Sequence, residues 1–184
     1  MFIYEPIGSH DYECAVCDRE DDWDVFHSLD GSPRLPTWQP INVHLCAADE
    51  HQRALRSDFP WLSSDVLVFR KRALMALKDI VDAHGEVLTI YADDGSELFA
   101  LNACVIDALD ESKSEVMLAP DTGEILFVEK VAFIESRIRG FDIFRLPYRA
   151  NPTYVSQRFI DRVQKSKLIG LDFEKVWPVP QVGA

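Results

Sequence analysis

The stretch from Val66 to Ile106 constrains the fold most, because its hydrophobic period changes twice within 41 residues. Val66-Leu67-Val68-Phe69 is a continuous apolar run, and after Arg70-Lys71-Arg72 come Ala73, Leu74, Leu77, Ile80 and Val81 at helical spacing. Gly85, following His84, is a C-terminal signal for that helix. Val87 to Ala92 then reads as a strand, Asp93-Asp94-Gly95 as a tight turn and Leu98 to Ile106 as the returning strand. The basic triplet 70–72 is expected to be a solvated face.

Further turns and strands follow. Pro120-Asp121-Thr122-Gly123 spells a turn, and Ile125 to Ile134 alternates as a long strand with a bulge or twist. Asp121-Thr122-Gly123 also matches the aspartic-protease triplet, but a single copy in turn context reads as a turn. Phe141 to Leu146 is another strand candidate. Thr153-Tyr154-Val155 is a short strand, Ser156 a helix N-cap, and Phe159, Ile160 and Val163 one helical face, with Arg158, Arg162 and Lys165 opposite. Gly170 precedes Leu171 to Trp177. Placing Val155 on Phe69, an offset of 86 residues, also aligns Ile160 with Leu74 and Val163 with Leu77. The order strand, helix, glycine, strand therefore occurs twice, a weak sign of duplication. The class is α+β, a largely antiparallel sheet with packed helices.

The first 60 residues read differently. Gly31, Pro33, Pro36 and Pro40 and the acids of 18–24 make 9–40 a loop-rich region with one short helical turn. Ile41 to Leu45 alternates weakly as a strand, and 47–56 has helix-forming composition. The expected division is a loop-rich region over 1–60, packed on an α+β domain over 61–184. With 184 residues, 47% of them hydrophobic and 27% charged, the chain can bury a core and is not intrinsically disordered. No stretch has the length and apolarity of a membrane helix, and Met1-Phe2-Ile3-Tyr4-Glu5 lacks the pattern of a secretory signal. The expectation is a soluble, cytoplasmic protein.

Charge is segregated along the chain. Acidic against basic residues number 9 to 1 over 1–30, 6 to 7 over 31–85, 11 to 1 over 86–129 and 5 to 10 over 130–184, for a net charge of −12. Such a surface repels phosphate backbones, so nucleic acid is not the expected ligand; a basic protein is the better match. Asp18, Glu20, Asp21, Asp22 and Asp24, together with Asp107, Asp110 and Glu111, are the candidate partner-binding acids.

Signatures of catalysis are sparse. The sequence has no Gly-x-Ser-x-Gly elbow, phosphate-binding glycine loop or His-Glu-x-x-His. Cys14-Ala15-Val16-Cys17 has the spacing of a zinc knuckle, and His44-x-Cys46 would complete four ligands, so zinc is a candidate cofactor alongside purely structural thiols. Cys104, inside a strand, reads as core.

From Leu62 to Trp177 the chain resembles the eleventh immunity family of bacterial polymorphic toxin systems. The resemblance rests on ordered pieces: the strand and helix of Val66 to Val81, Asn102, Asp107-x-x-Asp110-x-x-x-Ser114-Glu115 and the strand from Ile125. Ile143-Phe144-Arg145, Tyr154-Val155-Ser156 and Leu168-x-Gly170-Leu171-x-Phe173 complete it, over roughly 115 of 184 residues. The first strand ends in Arg70 where a serine is more typical, and residues 1–60 have no counterpart in the resemblance. What it implies is a non-enzymatic immunity protein that binds and neutralises a cognate toxin in a tight complex. A zinc-stapled binding or regulatory module, and an enzyme whose site is not visible in sequence, stay open beside it.

Overall fold

The computed structural model describes residues 1–47, 54–148 and 151–178. The N-terminal part contributes β1 (Ile3–Gly8), β2 (Glu13–Cys17), α1 (Glu20–His27) and β3 (Ile41–Ala47). Next come β4 (Val68–Arg70), α2 (Lys71–Ala76), α3 (Lys78–His84), β5 (Gly85–Ala92) and β6 (Glu97–Ala103). The remainder is β7 (Glu115–Leu118), β8 (Ile125–Lys130), α4 (Glu135–Ile138), β9 (Ile143–Phe144), β10 (Tyr154–Ser156), α5 (Gln157–Lys165) and β11 (Leu171–Trp177). The fold is α+β with mostly antiparallel pairing.

Two sheets carry the molecule, ordered β2-β3-β5-β6-β4 and β11-β1-β10-β9, and β7 and β8 form a separate two-stranded ribbon. The five-stranded sheet is buried on both faces. Val68, Leu88, Ile90, Leu98 and Ala100 turn toward Phe26 and Trp23 of α1, whereas Phe69, Leu101 and Ala103 turn toward Leu77, Ile80, Phe159 and Val163 of the other helices. A strand covered on both sides has no reason to alternate, which explains the unbroken run Val66 to Phe69. The four-stranded sheet closes the same helical core from beyond, through Val155, Tyr4, Leu171 and Phe173.

The repeated order is realised as a repeated topology. β4 and β5 flank β6, antiparallel to it, and are joined through α2 and α3; β10 and β11 flank β1 in the same manner and are joined through α5. The two glycines serve different ends. Gly85 is extended, with φ 169°, and opens β5 instead of capping the helix in a left-handed conformation. It is glycine because a Cβ there would lie 2.6 Å from the Asn102 carbonyl. Gly170 has φ +111° and its Cβ would strike the Ser57 hydroxyl. The single helix expected over 73–84 is broken at Leu77, a fully buried residue with φ −107° and ψ 6°.

The loop-rich expectation for 1–60 is corrected by β1, β2 and the eight-residue α1, while β3 falls where Ile41 to Leu45 read as a strand; all three strands belong to the two main sheets. Pairing over long sequence separations decides this. β1 lies between β10 and β11, and β3 pairs in parallel with β5. Pro6 is tolerated because it falls beyond the two residues of β1 that pair with β10 and meets only β11. The helix expected over 47–56 falls largely outside the described residues.

Candidate functional site

Three kinds of residue were candidates: the acids of 18–24, the acids of 107–111 and the Cys/His set. Helix α1 forms because Trp23 and Phe26 are three apart and both pack on the β2-β3-β5 side of the core. Its N-cap, Arg19, makes no side-chain cap bond, so Glu20, Asp21 and Asp22 in the first turn are what complement the positive end of the helix. Asp18, Glu20, Asp21 and Asp24 face solvent and Asp22 is half-buried. Of these five, Asp21 alone has an ion-pair partner among the described residues, Arg19 at 3.4 Å. The helix therefore carries an uncompensated negative face. Beneath it a 460 Å³ cleft opens between Asp18, Asp22 and the segment that holds Arg34 and Trp38.

The second acidic group is divided. Asp107 accepts from Arg137 at 2.8 Å, and Asp110 from Lys113 at 2.8 Å and from Ser112 at 2.6 Å. The bonds from Lys113 and Ser112 hold the Asp110 carboxyl below its ordinary value. Asp107 and Asp110 are thus spent on folding a tight loop. Glu111 stays exposed and lines a groove of about 1310 Å³ between the β7–β8 ribbon and the body of the protein.

That groove joins what the sequence kept apart. His27, the last residue of α1, lines one side, and Glu111 and Glu124 line it too, so the end of α1 and the second acidic stretch border one concavity, while Asp18 and Asp22 line the separate cleft. Leu118, Leu126 and Tyr148 add apolar wall. Behind it, Asp65 accepts from Ser63 at 2.5 Å and lies 3.2 Å from His27 Nδ1 and 3.7 Å from Arg145. Arg145 also donates to the Leu29 carbonyl at 2.7 Å. Burial, then the nearby Glu111 and Asp107, push the Tyr148 phenol above its usual value.

The ribbon was missed by the sequence reading, which placed one long strand over 125–134 and none over 115–118. Val116 and Val128 pair across it and face the core, while Met117 and Phe127 pair on the outer face. Met117, Leu118, Leu126 and Phe127 are 42–51% exposed. The overlooked signal was Val116-Met117-Leu118 directly before the turn at Pro120 to Gly123.

The four proposed metal ligands are not brought together. β2 is a strand, so Cys14 and Cys17, an odd number of residues apart, fall on opposite faces. Cys17 is buried in the core with Val43 and Ile41; Cys14 lies opposite Cys46 in register, on the face that holds His44. His44 is engaged with Asp93, at 2.5 Å. Among the described residues no cluster of three or more His, Cys, Asp or Glu could hold a metal ion. Burial, followed by Asp22 and Asp18, pushes the Cys17 thiol up to about 11, and burial does the same to Cys104. Both remain protonated at neutral pH, the wrong state for a nucleophile.

The basic residues read as solvated faces have structural work. Arg70 donates to Glu13 and Ser96, and Arg72 to Asp58 and to the carbonyls of Ser166 and Lys167. Arg158 and Arg162 clamp α5 to Asp79 of α3, and Arg158 also reaches Asp142.

What the fold and this surface define is an acidic α+β protein with a charged, partly apolar concavity beside its two-stranded ribbon. Residues 86–177, half of the chain, match the immunity protein family (Imm11), and the chain belongs to that family. The match runs from the start of β5 to the end of β11, so it includes the ribbon and the groove's Glu111, Glu124 and Tyr148 but not α1. No curated protein matches the sequence.

Proposed function

We propose that this protein neutralises a cognate toxin in the cytoplasm by covering part of its surface in a tight complex, without transforming a substrate. Membership of the immunity family carries the reading. The surface supports its finer part. A net charge of −12, with the α1 acids held in solvent, gives a field that attracts a basic toxin and orients its approach.

Protection demands that almost no toxin stays free, which asks for a Kd of about 1 nM or below, near −12 kcal/mol. An interface of about 1,600 Å² is enough for that if its centre holds well-packed apolar anchors. Charge sets how fast the partners meet; the anchors set how long they stay.

Co-expression with the toxin encoded beside this gene tests the reading. Cells survive and the two chains co-purify in a stable complex if it is right. Survival without any complex, at equal toxin levels, removes neutralisation by surface occupation.

A further inference from the structure

We propose that the β7–β8 ribbon and its groove are the anchor of the toxin contact, and that they receive a projecting segment bearing Lys or Arg among apolar residues. This rests on the reading that a toxin is what the chain binds. Among the described residues the ribbon strands pair only with each other, and four large apolar side chains, Met117, Leu118, Leu126 and Phe127, stand about half exposed on the 16 residues from Glu115 to Lys130. Met117 and Phe127 pair on the outer face, whereas Leu118 and Leu126 both line the groove; isolated exposed apolar residues are ordinary, but two leucines walling one concavity mark a contact surface.

Charge selects the occupant. Lys113 and Lys130, the two cations of residues 111–130, are both neutralised, by Asp110 at 2.8 Å and Glu115 at 2.7 Å. Glu111, Asp121, Glu124 and Glu129 have no ion-pair partner among the described residues, and Glu111 and Glu124 line the same groove as Leu118 and Leu126. Unpaired carboxylates beside apolar walls suit a long basic side chain, whose methylene stem lies on the leucines while its head meets an acid. A second copy of this chain would bring acid against acid here, at a net charge of −12 per chain. Continuity adds to this, since His27 places the end of α1 on the groove, and a partner drawn in by that helix arrives beside the ribbon.

The test uses the full chain and the purified toxin domain encoded beside its gene, with affinity measured by calorimetry. Leu118→Ser/Leu126→Ser is expected to bind about 100-fold more weakly, as loss of central anchors does. Its melting temperature should be unchanged, because both side chains are exposed. Glu111→Lys/Glu124→Lys should also weaken binding, and Lys165→Ala on α5 should not. In hydrogen exchange of the unaltered protein, amides of 115–128 should gain protection on toxin addition, a readout that holds even if a variant fails to fold. Full affinity in the folded leucine variant, or no protection of the ribbon, overturns the anchor while leaving toxin binding standing. A free protein that is a dimer, made monomeric by the leucine changes at unaltered toxin affinity, assigns the ribbon to self-association and overturns it as well. If the unaltered chain binds no toxin, the anchor falls together with the function on which it rests.

Discussion

Glu13 Oε1 accepts two hydrogen bonds from Arg70, from Nε at 2.9 Å and from Nη2 at 2.6 Å, with both side chains nearly out of solvent. The pair fastens β2 to the residue that ends β4 and begins α2. It explains why arginine stands where a capping serine would be ordinary. At the equivalent place in the repeated unit, an offset of 86 residues away, Ser156 does cap its helix. Arg70 makes no cap bond and is held for the ion pair. Glu13→Gln leaves a buried guanidinium with only Asp94, 4.0 Å away, as counter-charge and should lower stability by about 3 kcal/mol in urea unfolding. Glu13→Leu/Arg70→Met should lose less than the two single changes added together.

Ser156 accepts from the Phe159 amide at 3.3 Å and donates to Asp142 at 2.6 Å, both bonds buried. Ser156→Ala removes a cap and leaves a buried carboxylate oxygen short of a donor, so the loss should be about 2 kcal/mol. Thermal unfolding measures it; toxin affinity should be unaffected.

Asp79 receives Arg162 at 2.7 and 3.2 Å and Arg158 at 3.0 Å. The hydrogen bond from Arg162 is the main reason its carboxyl sits below the ordinary 3.8. A lowered carboxyl contributes stability above its unfolded pKa and loses it as pH falls through the folded one. The α3–α5 clamp should therefore be intact at pH 5 and released only below 3.8. Carbon-detected titration of Asp79 should give a midpoint below 3.8 that moves back toward it in Arg162→Met.

Changing Asp18, Glu20, Asp22 and Asp24 to their amides should slow toxin association about tenfold at low salt and flatten its salt dependence. The dissociation rate should move by less than a factor of about two. Stopped-flow mixing separates the two rates, and an unaltered association rate would locate the steering charge elsewhere.

The parts legible in the sequence are those whose structure is local. Val66 to Phe69, the apolar spacing to Val81, the Asp93-Asp94-Gly95 turn and the Ser156 cap each carry their signal within a few residues, and β4, α2, α3, the hairpin and α5 follow. β1 carries no such signal: Ile3-Tyr4-Glu5-Pro6 neither alternates nor avoids proline, and its partners lie some 150 residues away at Ser156 and Trp177. Cys14 to Cys17 imitates a metal knuckle because the two motifs differ only in backbone conformation, which is set by β3 from the other side of α1. Of the site, the acids were readable as charge. That α1 spends little of it on ion pairs, while Asp107 and Asp110 are paired with Arg137 and Lys113, depends on tertiary neighbours.

A fragment of residues 61–184 lacks β1, β2 and β3, which removes the strand between β10 and β11 and the outer strands beside β5. It should be unfolded or insoluble by circular dichroism, and adding back a peptide of residues 1–47 should restore some of the lost signal.

The position of β1 also bears on when the fold can be completed. The strand made first is completed by the two strands made last, so a nascent chain on the ribosome holds β1 unpaired until β10 and β11 have cleared the exit tunnel. The four-stranded sheet thus closes only once Trp177 has emerged, and until then the edge of β1 is open to pairing with any other strand.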